Sequence, residues 1–162
     1  MISLNLPHSA WEPLNLPENQ LHVWFANLDI EFEELSHLES TLTFDERARA
    51  SRFHFLKDRH RFVSGRGILR QILSRYLNRD ARALELGYGP YGKPFLRSDS
   101  GAPELRFNLA HSQGMALYGI TRNRDVGVDL ERIDQSLADQ RIAARFFSRR
   151  EYSTLRTLPA SQ

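Results

Sequence analysis

Residues 105–131 read LRFNLAHSQGMALYGITRNRDVGVDLE, and their short apolar runs separated by polar turns constrain the fold more than any other stretch, because runs of this length between turn signals point to strands. His111-Ser112-Gln113-Gly114 supplies a polar turn between the first two strands, and Asn123-Arg124-Asp125 turns the chain again. The prediction is an antiparallel meander whose third strand is VGVDLE. That last strand raises a chemical question, since Asp129 and Glu131 point to one face while Val128 and Leu130 point to the other. Two neighbouring acids are either a solvated strand face or oxygen ligands for a hard cation such as Mg²⁺, which takes one or two carboxylates and completes its shell with phosphate oxygens and waters. Asp-x-Glu is a short pattern, so the metal reading requires phosphate-binding residues elsewhere in the chain.

Helices are expected upstream of the meander. Thr43 and Glu46 form a capping box for a helix starting at about Phe44, carrying Arg47, Arg49 and Arg52 and running toward Phe55. Residues 59–77 place Phe62, Leu69, Ile72, Leu73 and Tyr76 on one helical stripe, with Arg66 and Arg70 one turn apart on another. Gly65 and Gly67 inside that stretch mark either a helix start or a close approach by another backbone or a ligand. A strand is expected over residues 21–28, LHVWFANL, after an irregular lead-in of about twenty residues. Residues 86–96, LGYGPYGKPFL, hold three glycines and two prolines around one lysine and read as a rigid loop. Beyond the meander, residues 142–147 read as helix, and Ser148 with Glu151 caps another. Strands together with separate helices make the expected class α+β.

Composition narrows the chemistry. With no cysteine, disulfides, thiolate nucleophiles and Cys-ligated metals are excluded, which fits a reducing, cytoplasmic setting. No apolar run approaches the length of a membrane span. The net charge of +2 hides a strong polarity: residues 1–46 carry nine acids and no Lys or Arg, whereas 47–82 carry ten Arg and one Lys against Asp58 and Asp80. Such a basic block points to an anionic partner, or else to the solvated faces of two helices. His111 beside Ser112 has no partner acid or nucleophile elbow, so a turn contact to phosphate fits it better than hydrolase chemistry.

Five segments in order carry a family resemblance: G-R-x-x-L-R at 65–70, Y-G-K-P at 91–94, F-N-L-x-H-S at 107–112, G-V-D-L-E at 127–131 and R-F-F-S-x-x-E at 145–151. Together they resemble the Sfp-type 4′-phosphopantetheinyl transferases over about residues 20–158. The resemblance implies transfer of the phosphopantetheine arm of coenzyme A to a serine of an acyl or peptidyl carrier protein, with Mg²⁺, releasing 3′,5′-ADP. It implies an α+β pseudo-dimer of two similar lobes with coenzyme A between them, here an N-terminal lobe over 1–125 and the start of a second over 126–162. By the same resemblance Asp129 and Glu131 hold the metal and serve catalysis, Arg49 and the nearby Arg47 meet the 3′-phosphate, Lys93 and His111 contact phosphates, and Arg61 lines the nucleotide site.

Two departures stand out. Ala110 replaces the serine that usually precedes the motif histidine, and the W-x-x-K-E segment that supplies a third metal ligand, a base and a lysine in the family is absent from these residues. The chain is therefore expected to be a truncated form, inactive as written and monomeric when full length. The alternative from another class is a single-stranded nucleic-acid-binding module, in which Phe53, Phe55 and Phe62 interleave with arginines as stacking platforms. The transferase reading expects neither nucleic acid nor membrane as a partner.

Overall fold

The computed structural model describes residues 2–3, 13–90, 92–97, 105–133 and 140–158, and it divides the chain into two compact units, residues 1–131 and 132–162. Tyr91 of the Tyr-Gly-Lys-Pro segment, most of the lead-in and residues 134–139 lie outside the described residues.

The first unit is a four-stranded sheet with helices against one face. Strands β1 (Ile2–Ser3), β2 (His22–Asn27), β5 (Leu105–Ser112) and β6 (Met115–Arg122) lie in the order β1-β2-β6-β5, with β1 parallel to β2 and the other pairs antiparallel. The lead-in, expected to be irregular, thus contributes a short edge strand. Helices α1 (Phe32–Ser40), α2 (Phe44–Ala50) and α3 (Leu56–Leu77) follow β2, and a hairpin of β3 (Leu86–Tyr88) and β4 (Pro94–Leu96) precedes β5.

Packing follows the two periodicities. Trp24 and Ala26 of β2 pair across from Tyr118 and Ala116 of β6, and Ile120 pairs with Phe107 of β5, so one sheet face is apolar. Against it α3 lays Ile68, Leu69, Ile72, Leu73 and Tyr76, all buried, while Phe62, the first residue of the expected stripe, is half-buried and packs elsewhere. Burying each aliphatic side chain contributes about 1.5–3 kcal/mol, which makes α3 the main source of core stability. A smaller cluster of Leu35, Leu42, Ala50 and Val63 joins the three helices. Tyr76 carries its hydroxyl into the core edge, where it accepts from Trp24 Nε1 at 2.9 Å and meets His22 Nδ1 at 2.7 Å. Because the hydroxyl proton then goes to Nδ1, the imidazole proton is assigned to Nε2, which faces Gln20 Oε1 at 3.3 Å. Burial pushes the Tyr76 phenol up to about 12 and His22 below its ordinary value.

Several elements differ from the sequence expectation. Helix α1 was not expected, although Leu35 and Leu38 face inward three residues apart; its N-cap, Glu31, makes no side-chain cap bond and so leaves no start signal. Helix α2 has the predicted capping box but stops at Ala50 instead of running toward Phe55. The chain turns there, and Phe53 packs its ring 5.3 Å from Phe62. The 86–96 segment is a two-stranded hairpin and not a loop; Pro94 opens its strand, where a missing N–H is tolerated. His111 and Ser112 belong to β5, so the turn is Gln113-Gly114 alone, both at positive φ. Residues 126–131 form no strand.

The second unit, taken by itself, holds α4 (Gln140–Phe146) and α5 (Arg149–Leu155). The predicted capping box is present: Ser148 Oγ accepts from Glu151 N, and Glu151 Oε2 accepts from Ser148 N at 2.8 Å. That hydrogen bonding to Ser148 holds the Glu151 carboxyl below its usual range.

Two expected outcomes follow from this packing. Gly67 lies where α3 meets α1: a Cβ there would sit 2.6 Å from Leu38 Cβ and 3.0 Å from its carbonyl oxygen. Overpacking of about 1–3 kcal/mol should exceed the roughly 1 kcal/mol that alanine gains in a helix, so Gly67→Ala should lower the urea midpoint; an unchanged or higher midpoint contradicts the contact. His22 binds its proton less readily folded than unfolded, so its contribution is full above 6.5, the ordinary imidazole value, and is lost as pH falls below it. The drop in melting temperature between pH 7.5 and 5.5 should be smaller in His22→Asn than in the parent, and an equal drop refutes the assignment.

Candidate functional site

A cavity of about 730 Å³ opens where α3, the β3–β4 hairpin and the ends of β5 and β6 converge. Arg49, Arg61, Lys93 and His111 all line it, so four of the seven sequence-predicted site residues come together there. Each is delivered by a different element. Arg49 comes from α2, Arg61 from α3 and His111 from the end of β5, while Lys93 lies in the hairpin turn just before Pro94. Phe107 and Tyr118 form part of the apolar wall. Burial raises the Tyr118 phenol well above its ordinary value, and its hydroxyl donates to Gly65 O at 3.0 Å.

The basic side chains are not equivalent. Arg61 makes a forked pair with Asp29, Nε to Oδ1 at 2.7 Å and Nη2 to Oδ2 at 2.6 Å, packed against the Gly114 turn. Those hydrogen bonds hold Asp29 below and Arg61 above their usual ranges. Arg66, which the sequence reading did not place in the site, lines the cavity at 8% exposure, and burial lowers its pKa. Its Nε lies 3.7 Å from Glu46 Oε1, an ion pair too long for a hydrogen bond, and its buried Nη1 has no hydrogen-bond partner. Arg70 is held at two nitrogens: Nε donates to Glu46 Oε2 at 2.7 Å, and Nη1 donates to the carbonyls of Ala81 and Leu84 at 2.7 and 3.0 Å. Arg49 lies over the rings of Phe62 and Tyr88, its Cζ 5.6 and 5.5 Å from their centroids. The G-R-x-x-L-R segment contained the signal for Arg66, but spacing alone could not separate a cavity arginine from a core one.

Arg47 stands apart. It is exposed on α2, donates to Glu39 O at 3.5 Å, and does not line the cavity.

Asp129 and Glu131 also lie outside the cavity lining, on a segment laid against the outer face of the sheet. No strand is assigned over 126–131, yet the expected alternation holds: Val126, Val128 and Leu130 are half-buried, while Gly127, Asp129 and Glu131 are exposed. Val128 sits so close to β6 that a Cβ on Gly119 would lie 2.7 Å from its Cγ1. In place of a ladder, Val128 N donates to Asn108 Oδ1 at 2.8 Å, and residue 108 also borders the cavity. Asn108 is thus the link between the acidic segment and the site. Asp129 Oδ1 accepts from Leu130 N at 2.9 Å, and neither carboxylate is in an ion pair among the described residues. No cluster of three or more metal-ligating side chains exists among the described residues. Two outward acids without a third suit a cation that takes its remaining ligands from phosphate oxygens and water, not an all-protein cage.

Comparison with known proteins decides the family. The family described as 4′-phosphopantetheinyl transferase, N-terminal, matches residues 30–119, more than half of the chain. The chain belongs to the 4′-phosphopantetheinyl transferase family. It is similar to the 4′-phosphopantetheinyl transferase HetI of a Nostoc species, 42% identical over 157 residues, which cover 94% of this chain and 66% of that protein. It is also similar to psf-1 of Bacillus pumilus, 33% identical over 80% of this chain and 53% of that protein. Sfp of Bacillus subtilis is 29% identical over 76% and 52% respectively. The chain therefore spans between about half and two thirds of the length of these family members. The solved structure of Helicobacter pylori holo-acyl-carrier-protein synthase in complex with coenzyme A overlays at a TM-score of 0.48 and 13% identity, over 64% of this chain and 100% of that one, a likeness too loose to bear on the site. No helix among the described residues is long and apolar enough to cross a membrane.

The Glu46 cluster can be tested directly. Glu46→Ala would leave Arg70 and Arg66 buried without their carboxylate, at an expected cost of about 3–5 kcal/mol. Chemical denaturation should show that loss, and a loss below about 1 kcal/mol would mean that water replaces the acid readily.

Proposed function

We propose that the complete protein transfers the 4′-phosphopantetheine arm of coenzyme A to a serine of an apo acyl or peptidyl carrier protein in the cytoplasm, with Mg²⁺ as the metal. The observation that carries this reading is the convergence of Arg49, Arg61, Lys93 and His111 on one cavity in a chain of this family. Cationic donors around a partly apolar space suit a ligand that joins a heteroaromatic base to several phosphates. Arg49 and Lys93 bind phosphate oxygens, His111 adds a donor at the mouth, and Arg61, fixed by Asp29, offers its remaining N–H groups.

Asp129 and Glu131 would hold the metal, on a segment tied through Val128 to Asn108 at the cavity border. Mg²⁺, when bound, supplies charge neutralisation at the phosphates. In the transfer the serine hydroxyl gives up its proton to water as its Oγ forms a bond to the β-phosphorus, the bridging phosphoanhydride P–O bond breaks, and 3′,5′-ADP leaves. The residues of this chain bind and orient the nucleotide end for that in-line displacement.

The internal pairing of Arg59 with Glu39, Arg61 with Asp29 and Arg70 with Glu46 draws part of the arginine block into the fold, and no observation favours the nucleic-acid reading. The complete product of the encoding gene, incubated with coenzyme A, Mg²⁺ and an apo carrier, should add the mass of the arm to the carrier. Asp129→Ala should slow that transfer by about a hundredfold or more, since a group that stabilises developing charge is worth about 10²–10³ in rate. Its melting temperature should barely change, because the side chain is exposed. Near-normal Mg²⁺-dependent transfer by the variant would remove Asp129 from the metal site, and no transfer by the parent to any of several carriers would remove the activity.

A further inference from the structure

We propose that Tyr88 is a positioning residue for nucleotide binding, whose ring, together with that of Phe62, holds Arg49 in place as the free anion-binding fork of the cavity. The proposal rests on the reading that coenzyme A occupies this cavity and goes beyond it in naming what orients the arginine.

Four groups make the arrangement. Arg49 Cζ lies 5.6 Å from the Phe62 centroid and 5.5 Å from that of Tyr88, while Arg66 Cζ lies 5.7 and 5.5 Å from the same two rings. Two cations therefore share two ring faces, with the single Glu46 carboxylate near only one of them. Of the three arginines that line the cavity, Arg61 is bound to Asp29 and Arg66 is paired with Glu46. Arg49 has no hydrogen bond or ion pair to a protein acceptor among the described residues; its contacts are with the rings. A guanidinium whose neighbours are rings and not acceptors keeps its N–H donors unclaimed by the protein, which is what bidentate capture of a phosphate requires. An exposed arginine without such support would lose rotamer freedom on binding and gain less from the contact.

Tyr88 also lies at a junction. It ends β3, pairs with Pro94 of β4, and so belongs to the hairpin whose turn carries Lys93. From the hairpin, one ring thereby touches both α2, through Arg49, and α3, through Arg66. The Tyr88 hydroxyl makes no hydrogen bond among the described residues, so the ring and not the oxygen is the active part.

The test measures coenzyme A binding to the complete protein by titration calorimetry, with dephospho-coenzyme A, which lacks the 3′-phosphate, as a second ligand. Tyr88→Phe should bind within about twofold of the parent, whereas Tyr88→Leu and Tyr88→Gln should bind coenzyme A about tenfold more weakly, within the range that loss of one cation–π contact allows. Dephospho-coenzyme A should lose much less. Adding Tyr88→Leu to Arg49→Ala should cost nothing further, because the two residues act as one unit. Tyr88 is partly exposed, so the variants should melt within a few degrees of the parent. Undiminished binding by Tyr88→Leu and Tyr88→Gln, or a penalty that persists in the Arg49→Ala background, would overturn this proposal alone. If the parent itself fails to bind coenzyme A, the transferase reading of the cavity falls, and this inference with it.

Discussion

The Glu46 carboxylate is the point on which the first unit turns. It is 4% exposed, completes the capping box by accepting from Thr43 N at 2.9 Å, and pairs with the nearly inaccessible Arg70. Arg70 in turn reaches the carbonyls of Ala81 and Leu84, so one acid connects the start of α2, the middle of α3 and the chain entering the β3–β4 hairpin. A buried ion pair is a weak source of net stability, because desolvation offsets most of the attraction. What it does supply is geometric restriction: few other packings bring one buried carboxylate oxygen, a guanidinium and two carbonyls into hydrogen-bonding reach at once, although the second oxygen, Oε1, makes no hydrogen bond. The hairpin that carries Lys93 and Tyr88 is placed by this network.

The same logic explains the charge polarity of the sequence. The acid-rich first segment and the arginine block that follows look like separate features along the chain, yet the fold folds one onto the other. Asp29 meets Arg61, Glu39 meets Arg59, and Glu46 meets Arg66 and Arg70. Three carboxylates thereby neutralise part of the apparent excess positive charge internally, and Arg49, Lys93 and His111 line the cavity. Charge counting along a sequence overstates long-range attraction wherever the opposing charges are partners in the fold.

Much of this architecture was legible in the residues. The stripe of Leu69, Ile72, Leu73 and Tyr76 located α3, alternation located β2, short apolar runs around a polar turn located β5 and β6, and both capping boxes formed as written. Helix α1 was invisible because its start carries no capping side chain, and the β3–β4 hairpin was hidden by glycine and proline density. At the site, Arg49, Arg61, Lys93 and His111 line one cavity, whereas Arg47, two residues from Arg49, does not. Helical phase decides that question, and a seven-residue helix gives too short a pattern to read it. Nor could the sequence divide the arginines into paired and free, since each pair joins residues at least twenty positions apart.

The acidic segment at 126–131 has the side-chain alternation of a strand without its ladder, and its attachment through Asn108 has a consequence for motion. The amide of Val128 is protected by one side-chain acceptor, whereas those of β6 are held between two neighbouring strands. Protection against hydrogen–deuterium exchange should therefore fall sharply on passing from residue 120 to residue 130, within about ten residues of continuous chain. The carboxylates at 129 and 131 would then sit on the yielding margin of a stiff sheet, able to shift with whatever they coordinate while the arginine side of the cavity stays fixed.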